Sequence, residues 1–253
     1  MELIVLGSAP AYTDRPGSAA SSYLLRTGSA ALLLDLGQGS LANLAATVEP
    51  STLTAILVSH LHPDHFVDLV PLRHYLKWEF VPSRRLDVVG PAGLAGRVDS
   101  LNGEPGFAAE ALDVETLAEG ILRVGPFEVE VRRIAHTEES YAFRVAPARR
   151  NGDASAPGLV YSGDCSRADD LLPLIRPGDT LLSEATFGAG PVAPGAQHIT
   201  SGDAARVAES AGAARMLLTH ILSGHSRQAT LDAACAAFTG PVRLVTEGDR
   251  FEI

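Results

Sequence analysis

His60, His62, Asp64 and His65 lie within six positions, directly after the apolar residues 54–58. A hydrophobic core does not favour so many side chains that need polar partners. The apolar residues predict a buried strand and Asp64 predicts the start of a helix, so the turn between them directs the four side chains into one space. Imidazole and carboxylate together suit zinc, manganese or iron. The segment therefore predicts a metal site at the carboxyl end of a strand.

Strand-like and helix-like patterns alternate along the rest of the chain. No composition break, short repeat or low-complexity tract divides it, so we expect residues 1–253 to form a single α/β domain. Glycine and proline predict loops over residues 102–106, 149–157 and 188–195. The patterns predict strands over residues 3–6, 22–26, 31–35, 53–59, 86–90, 127–135, 141–146, 158–162, 180–184, 215–219, 242–246 and 250–253, and helices over residues 39–47, 64–78, 168–174, 201–211 and 226–238.

Composition limits the location and the partners of the protein. A net charge of −10 gives no broad positive surface for nucleic acid. No apolar stretch is long enough for a membrane span, and residues 1–7 do not have the pattern of a signal peptide. The chain contains only two cysteines, Cys165 and Cys235, so no disulfide framework is expected. These features favour a cytoplasmic protein without a membrane partner.

The chain resembles the metallo-β-lactamase-fold hydrolases along its whole length. His60-x-His62-x-Asp64-His65 resembles their signature motif, and three further motifs follow in the family's order at the ends of predicted strands: Ala-His-Thr at 135–137, Tyr-Ser-Gly-Asp at 161–164 and Leu-Thr-His at 218–220. The resemblance implies an αββα sandwich, of α/β (α+β) class, with a two-metal site at one edge. It assigns His60, His62 and His136 to one metal, Asp64, His65 and His220 to the other, and Asp164 to both as a bridge.

Within this family the chain is most similar to the ribonuclease Z branch and its small phosphodiesterase relatives. The similarity lies in residues 7–8, 20–25, 136–141, 183–187 and 198–200. Two features depart from the enzymes that process transfer RNA. Ser183 replaces their usual histidine, and only 27 residues separate His136 from Asp164, which leaves little room for an RNA-gripping arm. The pattern is similar to that of bacterial enzymes that hydrolyse cyclic nucleotides, which implies a small phosphodiester as substrate and no nucleic acid partner.

Two adjacent cations can activate a bridging hydroxide at neutral pH and stabilise an in-line displacement at phosphorus. We expect Asp64 to bind one metal and to orient that hydroxide. His198, ahead of a predicted helix, is the candidate for donating a hydrogen bond or a proton to the phosphoryl or leaving oxygen. Glu184 is expected to hold a ligand histidine in its metal-binding tautomer. Zinc is the first expectation for both metals, with manganese and iron as alternatives, and Cys165 and His225 have no assigned role.

Several functions are compatible with this pattern. A metal-dependent phosphodiesterase acting on a small diester such as a 3′,5′-cyclic nucleotide is the first hypothesis. The alternatives are a ribonuclease Z-like endonuclease that cuts transfer RNA at its 3′ end, a hydrolase of another ester, thioester or lactam, and a non-catalytic metal-binding module. Because dimers are common in the resembling branch, a homodimer is also an expectation.

Overall fold

The computed structural model of the protein describes residues 1–148, 156–193 and 195–253, so residues 149–155 of the predicted loop lie outside it. No helix in these ranges is long and apolar enough to cross a bilayer. Three short 3₁₀ turns lie at Pro50–Thr52, Ala108–Glu110 and Ala168–Leu171. The strands are β1 Glu2–Gly7, β2 Ser22–Thr27, β3 Ala30–Leu34, β4 Ala55–Leu57, β5 Leu86–Gly90, β6 Leu112–Thr116, β7 Gly120–Val124, β8 Phe127–Arg133, β9 Tyr141–Pro147, β10 Leu159–Tyr161, β11 Thr180–Glu184, β12 Arg215–Thr219, β13 Val242–Leu244 and β14 Arg250–Glu252, and the α-helices are α1 Ser40–Thr47, α2 Pro63–Phe66, α3 Leu69–Trp78, α4 Leu94–Asn102, α5 Ser201–Ala211 and α6 Arg227–Cys235.

The strands form two mixed sheets of seven strands each. The first sheet has the order β14-β1-β2-β3-β4-β5-β6, and the second has the order β13-β12-β11-β10-β9-β8-β7. Each sheet has an antiparallel part and a parallel part, the parallel pairs being those from β3 to β6 and from β10 to β13. The carboxyl ends of parallel strands meet at the same edge of a sheet, and such edges are where α/β proteins place their sites.

Three apolar clusters separate four layers of structure. The first lies between the sheets, where Tyr23 and Leu34 share a cluster with Phe143 and Leu182 of the opposite sheet. A second cluster packs α1, α3 and α4 on the outer face of the first sheet, and a third packs α5 and α6 on the outer face of the second. Helices therefore cover both outer faces of the paired sheets. This arrangement confirms the predicted αββα sandwich.

Helix α5 begins and ends at well-defined caps. The side chain of Thr200 accepts from the backbone N–H of Asp203, and Asp203 accepts in return from the backbone N–H of Thr200. This reciprocal pair satisfies two backbone donors that the first turn of a helix leaves free. Gly212 ends the helix with a φ of 73°, a conformation that glycine adopts without strain. The caps fix the start of α5, and with it the position of His198 two residues upstream.

All twelve predicted strands are present with small shifts of their ends, but other parts of the prediction were wrong. Strands β6 and β7 and helix α4 were not predicted. The predicted helix over residues 64–78 is two helices, α2 and α3. Pro71 has no backbone N–H, so it cannot continue the hydrogen bonds of α2, but it is tolerated in the first turn of a new helix. The predicted helix over residues 168–174 is a short 3₁₀ turn, since Pro173 prevents its extension.

Candidate dinuclear metal centre

The predicted ligands come together at one edge of the sandwich, where strands of both sheets end. His60, His62, Asp64 and His65 follow β4 of the first sheet. His136, Asp164 and His220 follow β8, β10 and β12, which run in the same direction within the second sheet. Strand direction therefore brings together side chains that are up to 160 residues apart in sequence.

The first group of side chains contains three histidines and one aspartate. Nε2 of His60 lies 3.0 Å from Nδ1 of His62, and Nε2 of His136 lies 3.1 Å from that same nitrogen. Oδ2 of Asp164 lies 3.7 Å from Nε2 of His60 and 3.8 Å from Nε2 of His136. The four atoms converge on one small space, as the ligands of a single cation do.

The second group shares Asp164 with the first. Nε2 of His220 lies 3.2 Å from Oδ2 of Asp64, and Nε2 of His65 lies 3.7 Å from that oxygen. Oδ2 of Asp164 lies 3.4 Å from Nε2 of His65 and 3.6 Å from Nε2 of His220. One carboxylate oxygen therefore faces both groups, and Asp164 is the side chain that the two groups share.

The residues present fit two divalent cations. Nε2 of His65 is buried and has no hydrogen-bond partner within the described part of the chain. A buried nitrogen without a partner is costly, and this nitrogen faces Asp64 and Asp164, whose Oδ2 atoms lie 3.7 Å and 3.4 Å away. Imidazole nitrogens with two carboxylates form a donor set that suits zinc, manganese or iron. A cation bound there would satisfy the unpartnered nitrogen.

The electrostatics of the cluster favour positive charge. Burial, reinforced by His65, holds the pKa of His60 well below its usual range, so its ring is neutral and can donate a lone pair to a metal. Burial opposes charge on His65 as well, but Asp164 and Asp35 outweigh it and raise the pKa of His65 well above its usual range. The negative charge that favours a proton at His65 equally favours a metal cation.

Asp35, which the sequence analysis did not identify, holds His65 in place. Its Oδ2 lies 2.7 Å from Nδ1 of His65 and accepts hydrogen bonds from the hydroxyls of Ser59 and Tyr161. Its Oδ1 accepts from the backbone N–H of Ser59. Asp35 is fully buried and has a φ of 59°, which is uncommon for a residue other than glycine. With Nδ1 of His65 donating to this carboxylate, Nε2 is the nitrogen available to a metal.

Other ligand histidines are oriented in the same way. Nδ1 of His136 lies 2.8 Å from the backbone carbonyl oxygen of Gln197, which can only accept, so this nitrogen carries the proton. Nδ1 of His220 lies 2.9 Å from Oγ1 of Thr186. Each contact engages one ring nitrogen and leaves the other facing the cluster, which is the usual role of such contacts around a metal.

Glu184 lies beside the centre and directly contacts His198. Its Oε1 lies 3.0 Å from Nδ1 of His198, and it reaches the candidate ligand His220 only through Thr186, whose hydroxyl donates to its Oε2. Burial lowers the pKa of His198, but the hydrogen bond and charge of Glu184 outweigh burial and raise it. The Glu184–His198 pair therefore favours a protonated imidazole next to the metal cluster, with Nδ1 of His198 3.9 Å from Oδ2 of Asp164.

The comparisons with known proteins agree with this geometry. A family model described as beta-lactamase superfamily domain matches residues 32–221. The chain belongs to the metallo-β-lactamase superfamily. An uncharacterized protein of Mycobacterium leprae is 34% identical over 250 residues, which cover 94% of this chain and 84% of that protein.

Two further relatives have descriptive names. The probable metallo-hydrolase YhfI of Bacillus subtilis is 27% identical over 91% of both chains, and its crystal structure has a TM-score of 0.84 to this chain over 99% of each, at 26% identity. Ribonuclease Z of Geobacillus kaustophilus is 26% identical over 94% of this chain and 93% of its own. The protein is accordingly a metal-dependent hydrolase of the superfamily, with histidine and aspartate clusters able to bind metal ions.

The N-terminal loop supports His220 through the half-buried carboxylate of Glu247. One oxygen of Glu247 accepts hydrogen bonds from the backbone N–H groups of Ser8 and Ala19 and from the hydroxyl of Ser18. The carbonyl oxygen of Ser8 in turn accepts from the backbone N–H of His220, 3.0 Å away. His220 has a φ of 57°, which few residues other than glycine adopt. This network holds His220 in that unusual conformation.

Cys165 and His225 lie near the centre without facing it as ligands. Cys165 is fully buried, burial raises the pKa of its thiol well above the usual range, and its backbone N–H donates to Glu184. A neutral, inaccessible thiol is a poor nucleophile. His225 is half-buried, and its ring centroid lies 6.3 Å from that of Phe187. Phe187 also contacts His198, with 6.0 Å between the ring centroids, so Phe187 contacts both histidines.

Proposed function

We propose that the protein is a dinuclear metal-dependent phosphodiesterase that acts on a small diester such as a 3′,5′-cyclic nucleotide. The observation that carries the proposal is the pair of ligand groups sharing Asp164, next to His198, whose Nδ1 lies 3.0 Å from Oε1 of Glu184. The first group would hold one cation and the second group the other. Two cations, when bound, would activate water and neutralise charge that develops on the phosphoryl oxygens.

The side chains of the protein supply the remaining chemistry. Asp64, which lies against His220, would accept a hydrogen bond from the attacking water and so orient its lone pair towards phosphorus. As the new P–O bond forms and the bond to the leaving oxygen breaks, protonated His198 would donate its Nε2 proton to that oxygen. The hydrogen bond from Nδ1 to Glu184, 3.0 Å long, would keep the ring in position during this step. The proton that the attacking water loses would pass through Asp64 to solvent, and the neutral His198 would regain a proton from solvent.

The proportions of the chain favour a small substrate. Residues 137–163, 27 in all, connect the histidine after β8 to the aspartate after β10, and β9 and β10 occupy ten of them. This connection leaves little length for an arm that could grip RNA. A net charge of −10 also opposes binding of a polyanion, which requires many phosphate contacts. A diester that needs only the metals and a few donors suits such a site better.

Cleavage of transfer RNA at its 3′ end is the second candidate. The similarity to ribonuclease Z of Geobacillus kaustophilus, which extends over 94% of this chain, favours it. We would therefore assay the metal-loaded protein with bis-p-nitrophenyl phosphate, with 3′,5′-cyclic AMP and with a transfer RNA precursor that carries a 3′ trailer. The Asp164→Ala variant serves as the inactive control. Hydrolysis of the small diesters without cleavage of the precursor is the expected result.

The other outcomes discriminate between the candidates. Cleavage of the precursor at a single position, with little turnover of cyclic AMP, would favour the ribonuclease. Activity towards none of the three substrates by a protein that holds its metals would refute the phosphodiesterase proposal. In that case esters, thioesters and lactams would be the substrates to test next.

A further inference from the structure

A cavity of about 380 Å³ opens beside the first group of candidate ligands. Its wall includes the side chain of His62, so a molecule bound in the cavity lies next to the metal cluster. Leu61 and Ala92 contribute apolar surface, and Thr137 contributes a hydroxyl. The volume is within the range of small-ligand pockets, roughly 300–1,000 Å³. The cavity can therefore hold one part of a substrate whose reacting bond lies at the metals.

Hydrogen bonds fix the walls of this cavity. Glu139 accepts from the backbone N–H of Ala92 at 2.8 Å, which ties the loop after β8 to the loop before α4. Within the loop after β8, the hydroxyls of Thr137 and Ser140 are 2.7 Å apart, and the backbone N–H of Thr137 donates to Ser140. The cavity is thus formed before a ligand binds, which reduces the entropy lost on binding.

Two charged groups line the cavity without a partner. Arg97 on α4 and Glu138 in the loop after β8 are both exposed, and among the described residues neither side chain forms a hydrogen bond or an ion pair. The guanidinium offers donors only and the carboxylate offers acceptors only. A ligand that carries both acceptors and donors could satisfy both groups at once.

A larger cavity of about 550 Å³ lies beside His198, and its arginines, unlike Arg97, are paired. Its two arginines, Arg167 and Arg206, are already paired with Asp170 and Asp203, and Asp169 adds a further negative charge. Among the described residues it therefore offers a ligand no unpaired arginine, and His198 is its remaining basic side chain. The cavity beside His62 is therefore the better candidate for selective binding.

We propose that the cavity beside His62 binds the nucleobase of the substrate, with Arg97 and Glu138 as the residues that select it. This inference rests on the proposed phosphodiesterase function. A purine presents ring acceptors and an exocyclic amine along one edge, which match a guanidinium and a carboxylate, and its faces can pack on Leu61 and Ala92. A second phosphate would suit the cavity poorly, because it would face the carboxylates of Glu138 and Glu139.

The test compares two ligands that differ only by a base. Calorimetry would measure the affinity of the zinc-reconstituted protein for adenosine 5′-monophosphate and for ribose 5-phosphate, which carry the same phosphate. We expect the wild-type protein to bind the nucleotide about tenfold more tightly, the effect of one hydrogen bond to a charged group. Arg97→Ala and Glu138→Gln should each bring the two affinities closer together while leaving the affinity for ribose 5-phosphate unchanged.

Arg123→Ala is the matched control. Arg123 is also an exposed arginine, but it pairs with Glu128 at the start of β8, whereas His136 follows the opposite end of that strand. Its loss removes the same charge without touching the cavity, so the ratio of the two affinities should stay at the wild-type value. Both Arg97 and Arg123 are exposed, so neither substitution should disturb folding, and circular dichroism would verify this.

The outcomes separate this inference from the function on which it rests. Equal affinity of the wild-type protein for the two ligands would overturn the inference, as would an Arg97→Ala variant that keeps the full preference for the nucleotide. If bis-p-nitrophenyl phosphate is still hydrolysed in that case, the phosphodiesterase function stands. A preference for the nucleotide that depends on Arg97, in a protein that hydrolyses no diester, would support the base cavity and refute the proposed function.

Discussion

Asp35→Asn should weaken one metal site selectively. The substitution keeps the size of the side chain but removes its charge. In the wild-type protein several groups donate hydrogen bonds to the Asp35 carboxylate, and the amide of asparagine would face these donors with its own N–H₂ donor. Oδ2 of Asp35 lies 2.7 Å from Nδ1 of His65. His65 belongs to the group with Asp64 and His220, so that group should lose most of its affinity.

The expected magnitude follows from the role of Asp35. Loss of a partner that orients a ligand histidine typically weakens metal binding by about 10–100-fold, or about 1.4–2.7 kcal/mol. The group with His62 and His136 should change less, because Asp35 reaches it only through the hydroxyl of Ser59, 3.1 Å from Nδ1 of His60. In the variant, the metal affinity of the group with His65 should therefore fall further than that of the group with His62.

Competition with a chromophoric chelator would measure both metal affinities in the wild-type protein and in the variant. Tyr161→Phe is the matched control, because it removes a neutral donor to the same carboxylate but keeps the charge next to His65. It should weaken binding much less than Asp35→Asn does. Two unchanged affinities in Asp35→Asn, or an equal loss in both variants, would refute the view that the charge of Asp35 supports the second site.

Three further predictions address other parts of the site. Asp164→Ala should remove both metals together with activity, because both ligand groups face its Oδ2, and retention of two metals per chain would contradict the bridging role. His198→Ala should keep both metals and lower kcat by about 10²–10⁴-fold, as expected for a proton donor, and an unchanged rate would refute that role. Burial raises the pKa of Glu247, but the hydrogen bonds it accepts outweigh burial and lower the pKa below 4.5, so the stability that its charge provides is complete above that pH and is lost as the pH falls. The difference in unfolding free energy between the wild-type protein and Glu247→Gln, measured in urea, should therefore be constant above about pH 4.5 and smaller below it, and a difference that does not vary with pH would contradict the assignment.

The strands and the helix that the sequence analysis missed are all weakly buried. Strand β7 has one buried residue, Val124, and its Ile121 is 59% exposed. In α4 only Leu94 and Val98 are buried, and the helix contains Gly96. Edge strands and lightly packed helices lack the apolar periodicity on which such predictions depend. By contrast, the buried parallel strands read as continuous apolar runs and were found.

The site shows the same division between local and long-range information. The four side chains after β4 form a compact motif in sequence, and they indicate a metal directly. Asp35 carries no comparable signal, because a single aspartate after an apolar strand is common and its function depends on β3 and β4 pairing side by side. The contact between Glu184 and His198 likewise depends on how the loop before α5 packs against β11. Such partners can be identified only from the folded chain.

Metal titration of the chelator-treated protein, followed by hydrolysis of bis-p-nitrophenyl phosphate, tests the dinuclear hydrolase most directly. The protein without metal should be inactive, and turnover should rise with added zinc or manganese to a maximum near two ions per chain. Full turnover in the absence of metal, or no turnover when two ions are bound, would contradict the account.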